Sequence, residues 1–380
     1  MGQKATIYYD YNIGQPVAVS DLNNPPNYTF YAYNSDAQPG SGYDALDRLV
    51  RVTLPNNGTI SYSYPNSTTI VTKQDQNSPG DGALQSQQLY DGFGRLSETD
   101  TFEPGGKYIA STQGYDALGR TASITNPSES GDGLNYSTTY TYDGLGRVTR
   151  LQAQDGSATT TDYLSGNNNS AMVTDPQGVQ RRNWTDGLGN LIEVDEDPNG
   201  PLAYTTRYSY SPLGQLTAVM QGQQTRTFNY DSLGRLLSAT NPESGTTNYS
   251  YDSANNLLLK TDARGVMTCF GTISNGQCGG TGYDALNRPA LKTYSDGTPS
   301  VSYSYDAPGV ANSAGHLTQV SNGVATINYS AFDKLGNVTG SSAAIGGTPY
   351  SFAYTYNLAG ELTQETYPSG RQIIWTKARA

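Results

Sequence analysis

Residues 141–150 read TYDGLGRVTR, and the reading of this phrase decides the fold. Near copies stand at 114–123 (GYDALGRTAS) and 229–238 (NYDSLGRLLS). The best-formed copies are Tyr115, Asp116, Leu118, Gly119 and Arg120; Tyr142, Asp143, Leu145, Gly146 and Arg147; and Tyr230, Asp231, Leu233, Gly234 and Arg235. Further copies start at Tyr43, Tyr90, Thr185, Tyr210, Tyr251, Tyr283, Phe332 and Tyr356, most of them roughly 20–30 residues apart, as in repeat architectures.

The copies explain one another slot by slot. The fifth slot holds Gly in most copies and Asp47, Asn255 or Asn287 in the rest. These residue types tolerate a positive φ best, so the slot is predicted to be left-handed. A four-residue D-x-L-G loop ending in such a residue fits a hairpin built on a type I turn. The second-slot Asp is predicted to accept bonds from backbone N–H groups ahead of it, a role Ser211 and Asn357 can also fill. The fourth-slot Leu is expected to fold back onto a neighbouring Tyr. The sixth-slot Arg is expected to lay its stem over a Tyr face.

The flanks alternate, as in YSTTYTYD at 136–143 and SVSYSYD at 300–306, with Tyr on one face and small polar residues on the other. A second turn signal follows each return strand: NPESG at 241–245, DPQG at 175–178, DARG at 262–265, YPSG at 367–370. Each repeat therefore reads as strand, YDxLGR turn, strand, second turn. A lone hairpin is marginal, so the repeats must stack. No linker or composition shift breaks the series. Residues 1–380 read as a single array of consecutive antiparallel β-hairpins, all-β, in a curved and spiralling sheet.

Composition agrees. The 380 residues include 43 Gly and 31 Tyr but only 7 Phe. The formal charge of −11 disfavours phosphate backbones, so no nucleic-acid partner is expected. No apolar run approaches the roughly 18 residues of a membrane span. The N-terminus, MGQKATIYYD, shows no signal peptide, and the abrupt end, IIWTKARA, reads as a fragment's.

YDALGR at 115–120, YDGLGR at 142–147, YDSLGR at 230–235 and the intervening Pro/Gly turns resemble the YD repeat of the Rhs family, roughly from Tyr9 to Gly370. The family includes bacterial polymorphic toxins, insecticidal toxin-complex components, wall-associated proteins and teneurins. The resemblance implies hairpins wound into a partly closed hollow shell. It also implies a toxin or other polypeptide cargo, and a secreted or cell-surface setting for the full-length protein. Carbohydrate or cell-surface binding is the alternative it offers. Two departures matter: no RYYDPxxGRF-like stretch follows the repeats, and neither does a toxin domain. The resemblance therefore lends no autoproteolytic or toxic residue to this chain. YSPLGQ at 210–215 and YNLAGE at 356–361 mark Asp and Arg as replaceable slots.

Site readings weigh against their plainer rivals as follows. A catalytic carboxylate pair occurs once in an enzyme, whereas this Asp recurs in nearly every repeat, so turn capping is preferred to glycosidase chemistry. GLGRV at 144–148 lacks a full phosphate-loop pattern. His316 is the lone imidazole and is expected in a surface loop. Glu193, Asp195, Glu196 and Asp197 read as a solvated acidic loop, with calcium as the sharper alternative. Cys269 and Cys278 are spaced for a hairpin-bridging disulfide or stand as free thiols. No catalytic residue, metal or cofactor is expected.

Overall fold

The computed structural model describes residues 4–33, 46, 48–103, 105–133, 136–163, 169–201, 203–280 and 282–375. Tyr43, Asp44 and Asp47 lie outside the described residues. These contain 34 β-strands and no helix. The chain forms two compact bodies. A terminal body holds Met1–Thr112, Pro127–Leu134 and Val301–Ala380, and a central body holds Gln113–Asn126 and Asn135–Ser300.

In the central body the strands form an antiparallel meander. Ser137–Tyr142 pairs with Val148–Gln152, which pairs with Ala158–Asp162, and so on to Met267–Cys269 and Leu291–Tyr294. Each strand reverses direction, so alternate turns fall on opposite edges of the sheet. All YDxLGR turns of this body therefore share one edge, and turns such as DPQG and DARG share the other.

The terminal body contains two runs of the same meander. One runs from Ile7–Asp10 to Tyr108–Tyr115, with Ser128–Glu129 added against Ile109 and Ala110. The other runs from Val301–Tyr305 to Gln372–Ile374. The core is thin. Among the described residues the buried apolar side chains are few and include Val194, Cys269, Phe332, Val52 and Ala18. Tyr rings, half-buried along the strands, take up the remaining packing.

A bulge accompanies the turns. Tyr142 pairs with Val148 but Thr141 pairs with Arg150, which leaves Thr149 unpaired. The same slip occurs before Tyr90, Tyr210, Tyr230, Tyr251 and Tyr356. Such a residue bends its strand and increases its twist. At several copies the unpaired residue carries a hydroxyl that bonds back across the hairpin: Ser97 Oγ donates to Leu89 O at 3.1 Å, and Thr217 Oγ1 to Ser209 O at 3.0 Å.

Candidate functional site: the interlocked turns

The YDxLGR turn is a closed network. In the copy at 115–120, Gly119 N donates to Asp116 O and Asp116 N to Arg120 O, both at 2.9 Å. Asp116 Oδ1 accepts the N–H groups of Leu118 and Arg120, each at 2.9 Å, while Oδ2 accepts Arg120 Nε at 2.7 Å. Asp143 and Asp231 repeat this set. The backbone N–H and the guanidinium of the sixth-slot Arg hold Asp116, Asp143 and Asp231 below the usual carboxylate range. Gly119, Gly146 and Gly234 have φ of 81°, 80° and 83°, and Asn255 and Asn287 have 68° and 60°.

The network also reaches the next repeat. Arg120 lies over the Tyr142 ring at 4.4 Å, Arg147 over Tyr163 at 4.1 Å, Arg235 over Tyr251 at 4.9 Å and Arg48 over Tyr64 at 3.7 Å. The covered Tyr hydroxyl then donates to the backbone carbonyl just after that Arg: Tyr142 to Thr121, Tyr163 to Val148, Tyr251 to Leu236 and Tyr64 to Leu49. Tyr210 and Tyr283 make the same bond where the preceding sixth slot is Asn. At these six junctions a repeat is clasped to its successor by one hydrogen bond, and at the four with Arg also by one cation–π contact. Such terms contribute about 1 and about 0.5–1 kcal/mol. The hydroxyl half of this clasp was not foreseen from sequence. Its signal lies in SYSYPN and TDYLSG, repeats that lose the turn formula yet keep Tyr64 and Tyr163.

The fourth-slot side chains do not fold back. Phe93, Leu118, Leu145, Leu188, Leu213, Leu233 and Leu286 are 60–86% exposed. Their backbone N–H groups point inward to the capping carboxylate, so the side chains face out, and the Tyr face that was to receive them is held by Arg. Leu335 is the half-buried exception. The central body therefore carries a row of exposed leucines along its YDxLGR edge.

In the terminal body the same edge of the later run is occupied. The turn at 357–360 sits on the second-turn edge of strands near the chain start. Leu358 N donates to Gln76 O at 2.8 Å, Asn56 Nδ2 to Leu358 O at 3.0 Å, and Gln76 Nε2 to Glu361 Oε2 at 3.0 Å. A second stitch joins Asn27 Nδ2 to Asn312 Oδ1 at 2.9 Å and Ala314 N to Asn23 Oδ1 at 3.1 Å. These contacts span 282 (358 − 76) to 302 residues of sequence. Two runs of the array are thus stacked edge on edge.

The remaining expectations resolve as follows. Glu193, Asp195 and Glu196 lie on strand Leu191–Glu196 and not in a loop. Glu193 pairs with Arg207 and Glu196 with Arg181, while Asp195 accepts Trp184 Nε1 and Thr205 Oγ1. Period-2 alternation splits these acids between the two faces. Among the described residues no group of three or more His, Cys, Asp or Glu is placed to hold a metal. His316 is half-buried, stacked on Phe332 at 4.9 Å. Cys269 and Cys278 are bonded, with Cα atoms 5.6 Å apart. The bridge ties strand Met267–Cys269 to the small ribbon Thr272–Ser274/Gln277–Gly279. A shallow cleft of about 270 Å³ beside Asp262, Arg264 and Asp296 contains an Arg264–Asp262 ion pair.

The sequence model of the RHS repeat family matches residues 230–267, one repeat and part of the next. That stretch carries an RHS repeat. No curated protein matches the chain. Solved structures resemble this chain across nearly its full length. The crystal structure of TcdB2-TccC3-TEV has a TM-score of 0.75 at 14% identity, with 96% of this chain and 25% of that one covered. The Tc holotoxin pore of Photorhabdus luminescens, in a TccC3 variant, has a TM-score of 0.73 at 14% identity, with 97% and 25% covered. TcdB2-TccC3 without its hypervariable C-terminal region has 0.69 at 13%, with 96% and 26% covered. The chain spans about a quarter of the length of these structures. They share its fold of antiparallel β-strands. No described helix is long and apolar enough to cross a membrane.

Proposed function

We propose that this chain is a non-catalytic shell segment, a single array throughout, that encloses or presents a polypeptide such as a toxin within a larger secreted or surface assembly. The observation that carries this reading is the seam in the terminal body. Hairpins about 300 residues apart stack edge on edge through Leu358, Asn56 and Gln76. Stacked runs make a wall, and repeat-to-repeat clasps stiffen it without any single-copy site. The likeness in fold to TcdB2-TccC3 and to a Tc holotoxin pore supports the same role. The test is a tethered passenger: an unfolded polypeptide joined after Ala380 should be digested more slowly than the same polypeptide on a repeat-free carrier. Equal digestion rates overturn the reading.

A second reading, carbohydrate binding, is supported by one exposed aromatic cluster. Tyr28 stacks with Phe30 at 5.9 Å and lies 6.3 Å from Tyr8, and Tyr8 and Phe30 are each about half exposed. Rings with free faces and hydroxyls suit sugars. A glycan array that gives a signal abolished by Tyr28→Ala would favour it, and a blank array would remove it.

A further inference from the structure

Two carboxylates are buried most deeply in the terminal body, and their surroundings differ. Asp75, 2% exposed, accepts Thr59 N, Thr59 Oγ1 and Gly82 N, and these bonds keep it below the usual carboxylate range despite burial. Asp100, 4% exposed, has an Oδ1 with no hydrogen-bond partner. It sits in mid-strand on Leu96–Phe102, two residues from Glu98 and on the same face. Its cross-strand partners are Gln87 and Ala110. On that face, strand Leu84–Tyr90 presents Gln85, Gln87 and Leu89, and strand Tyr108–Tyr115 presents Tyr108, Ala110 and Thr112. Ser128 lies beyond, opposite Ala110. Glu98 is thus the charged neighbour. The cation on this face nearest in the pairing order, Lys73, is exposed and two strands away, opposite Gln85.

We propose that Glu98 and Asp100 form a proton-holding pair, so that strand Leu96–Phe102 and its two neighbours open more readily as the pH rises. An anion at Asp100 leaves its buried Oδ1 without a donor, whereas a carboxylic acid there can donate to Glu98 and remain neutral in a buried place. Burial, then the charge of Glu98 and the hydrogen bond to it, push the Asp100 carboxyl up to about 6. An opened chain titrates near 3.9. The folded state therefore keeps a proton that the open state releases. The stabilisation is complete below the open-state value and is lost as pH rises through the folded value. The capped turn aspartates are held low and do not change charge between pH 5 and pH 8. The pair is thus a built-in acid latch, independent of whether the chain serves as a shell.

Amide exchange by mass spectrometry tests this, with protection corrected for intrinsic rates. Peptides across 84–115 should be about tenfold better protected at pH 5 than at pH 8, while peptides across 204–251 change less. Asp100→Asn, which imitates the protonated acid, should remove the step. Glu98→Gln, which spares the buried group, should shrink it. The proposal is overturned if wild-type protection is equal at the two pH values, or if the step survives in Asp100→Asn. Should Asp100→Asn fail to fold, an undiminished step in Glu98→Gln overturns it alone.

Discussion

The turns at 143–147 and 357–361 share a backbone but invert their chemistry. In the central body Asp143 accepts from Arg147, and Arg147 reaches forward to Tyr163. In the terminal body Asn357 Nδ2 donates to Glu361 Oε2, and the same carboxylate oxygen accepts Gln76 from a run nearly 300 residues earlier. The first turn clasps along the array; the second fastens across it. An acceptor at slot two suits a cation at slot six, and a donor suits an anion. Ser211 with Gln215 forms a neutral third version. The formula is therefore a pairing rule between two slots, and the seam selects which polarity is used.

Substitutions can break this contrast. The largest effect is expected at Gly336, whose φ is +85° and whose added Cβ would meet His316 Nε2 at 2.7 Å. Gly336→Val should cost about 2–3 kcal/mol, and Gly146→Val, with only the distant Arg120 side chain nearby, about 1–2 kcal/mol. Urea midpoints measure both; equal losses would show that the His316 stack carries no weight. Next is Asn357→Asp, which sets two carboxylates together at the seam and should cost about 1–2 kcal/mol. Asn357→Asp with Glu361→Arg should rebuild the local pair yet leave Gln76 without its acceptor, recovering only part of the loss.

Tyr142→Phe keeps the ring under Arg120 but removes the bond to Thr121 O, and about 1 kcal/mol should follow. A null effect would reduce the clasp to ring packing. The turn carboxylates predict an acid limb. Their folded values are depressed, so their stabilisation is present above about pH 3.9 and is lost as pH falls below it. A thermal melt series from pH 5 to 2.5 should show the midpoint falling only below about pH 4 through these groups. Smallest of all, Leu145→Ser, at an 80% exposed position, should change stability by no more than about 0.5 kcal/mol. A larger loss would mean that the leucine row packs against something.

The turn was legible because its determinants are local. Asp116, Gly119 and Arg120 interact within five residues, and internal copies supply their own comparison. The leucine's direction was misjudged because a capped turn fixes where slot four points, and periodicity does not report that. The acidic run at 193–197 looked like a loop because charge hid the alternation of a strand. The seam was invisible: Asn56, Gln76 and Asn23 are ordinary turn residues until a distant edge arrives. The bulge beside each Tyr also left no mark, since Thr149 and Ser97 are unremarkable strand residues.

The strict reversal of strand direction sets a rule for growth by duplication. A change of two strands keeps each later Tyr on the same edge as the carbonyl it bonds. A one-strand change would carry every downstream YDxLGR turn to the opposite edge. Leu358 would then face away from Asn56 and Gln76, and the seam would fail far from the lesion. Frame-like counting, in pairs of strands instead of triplets of bases, is thus enforced on this array by the sheet itself.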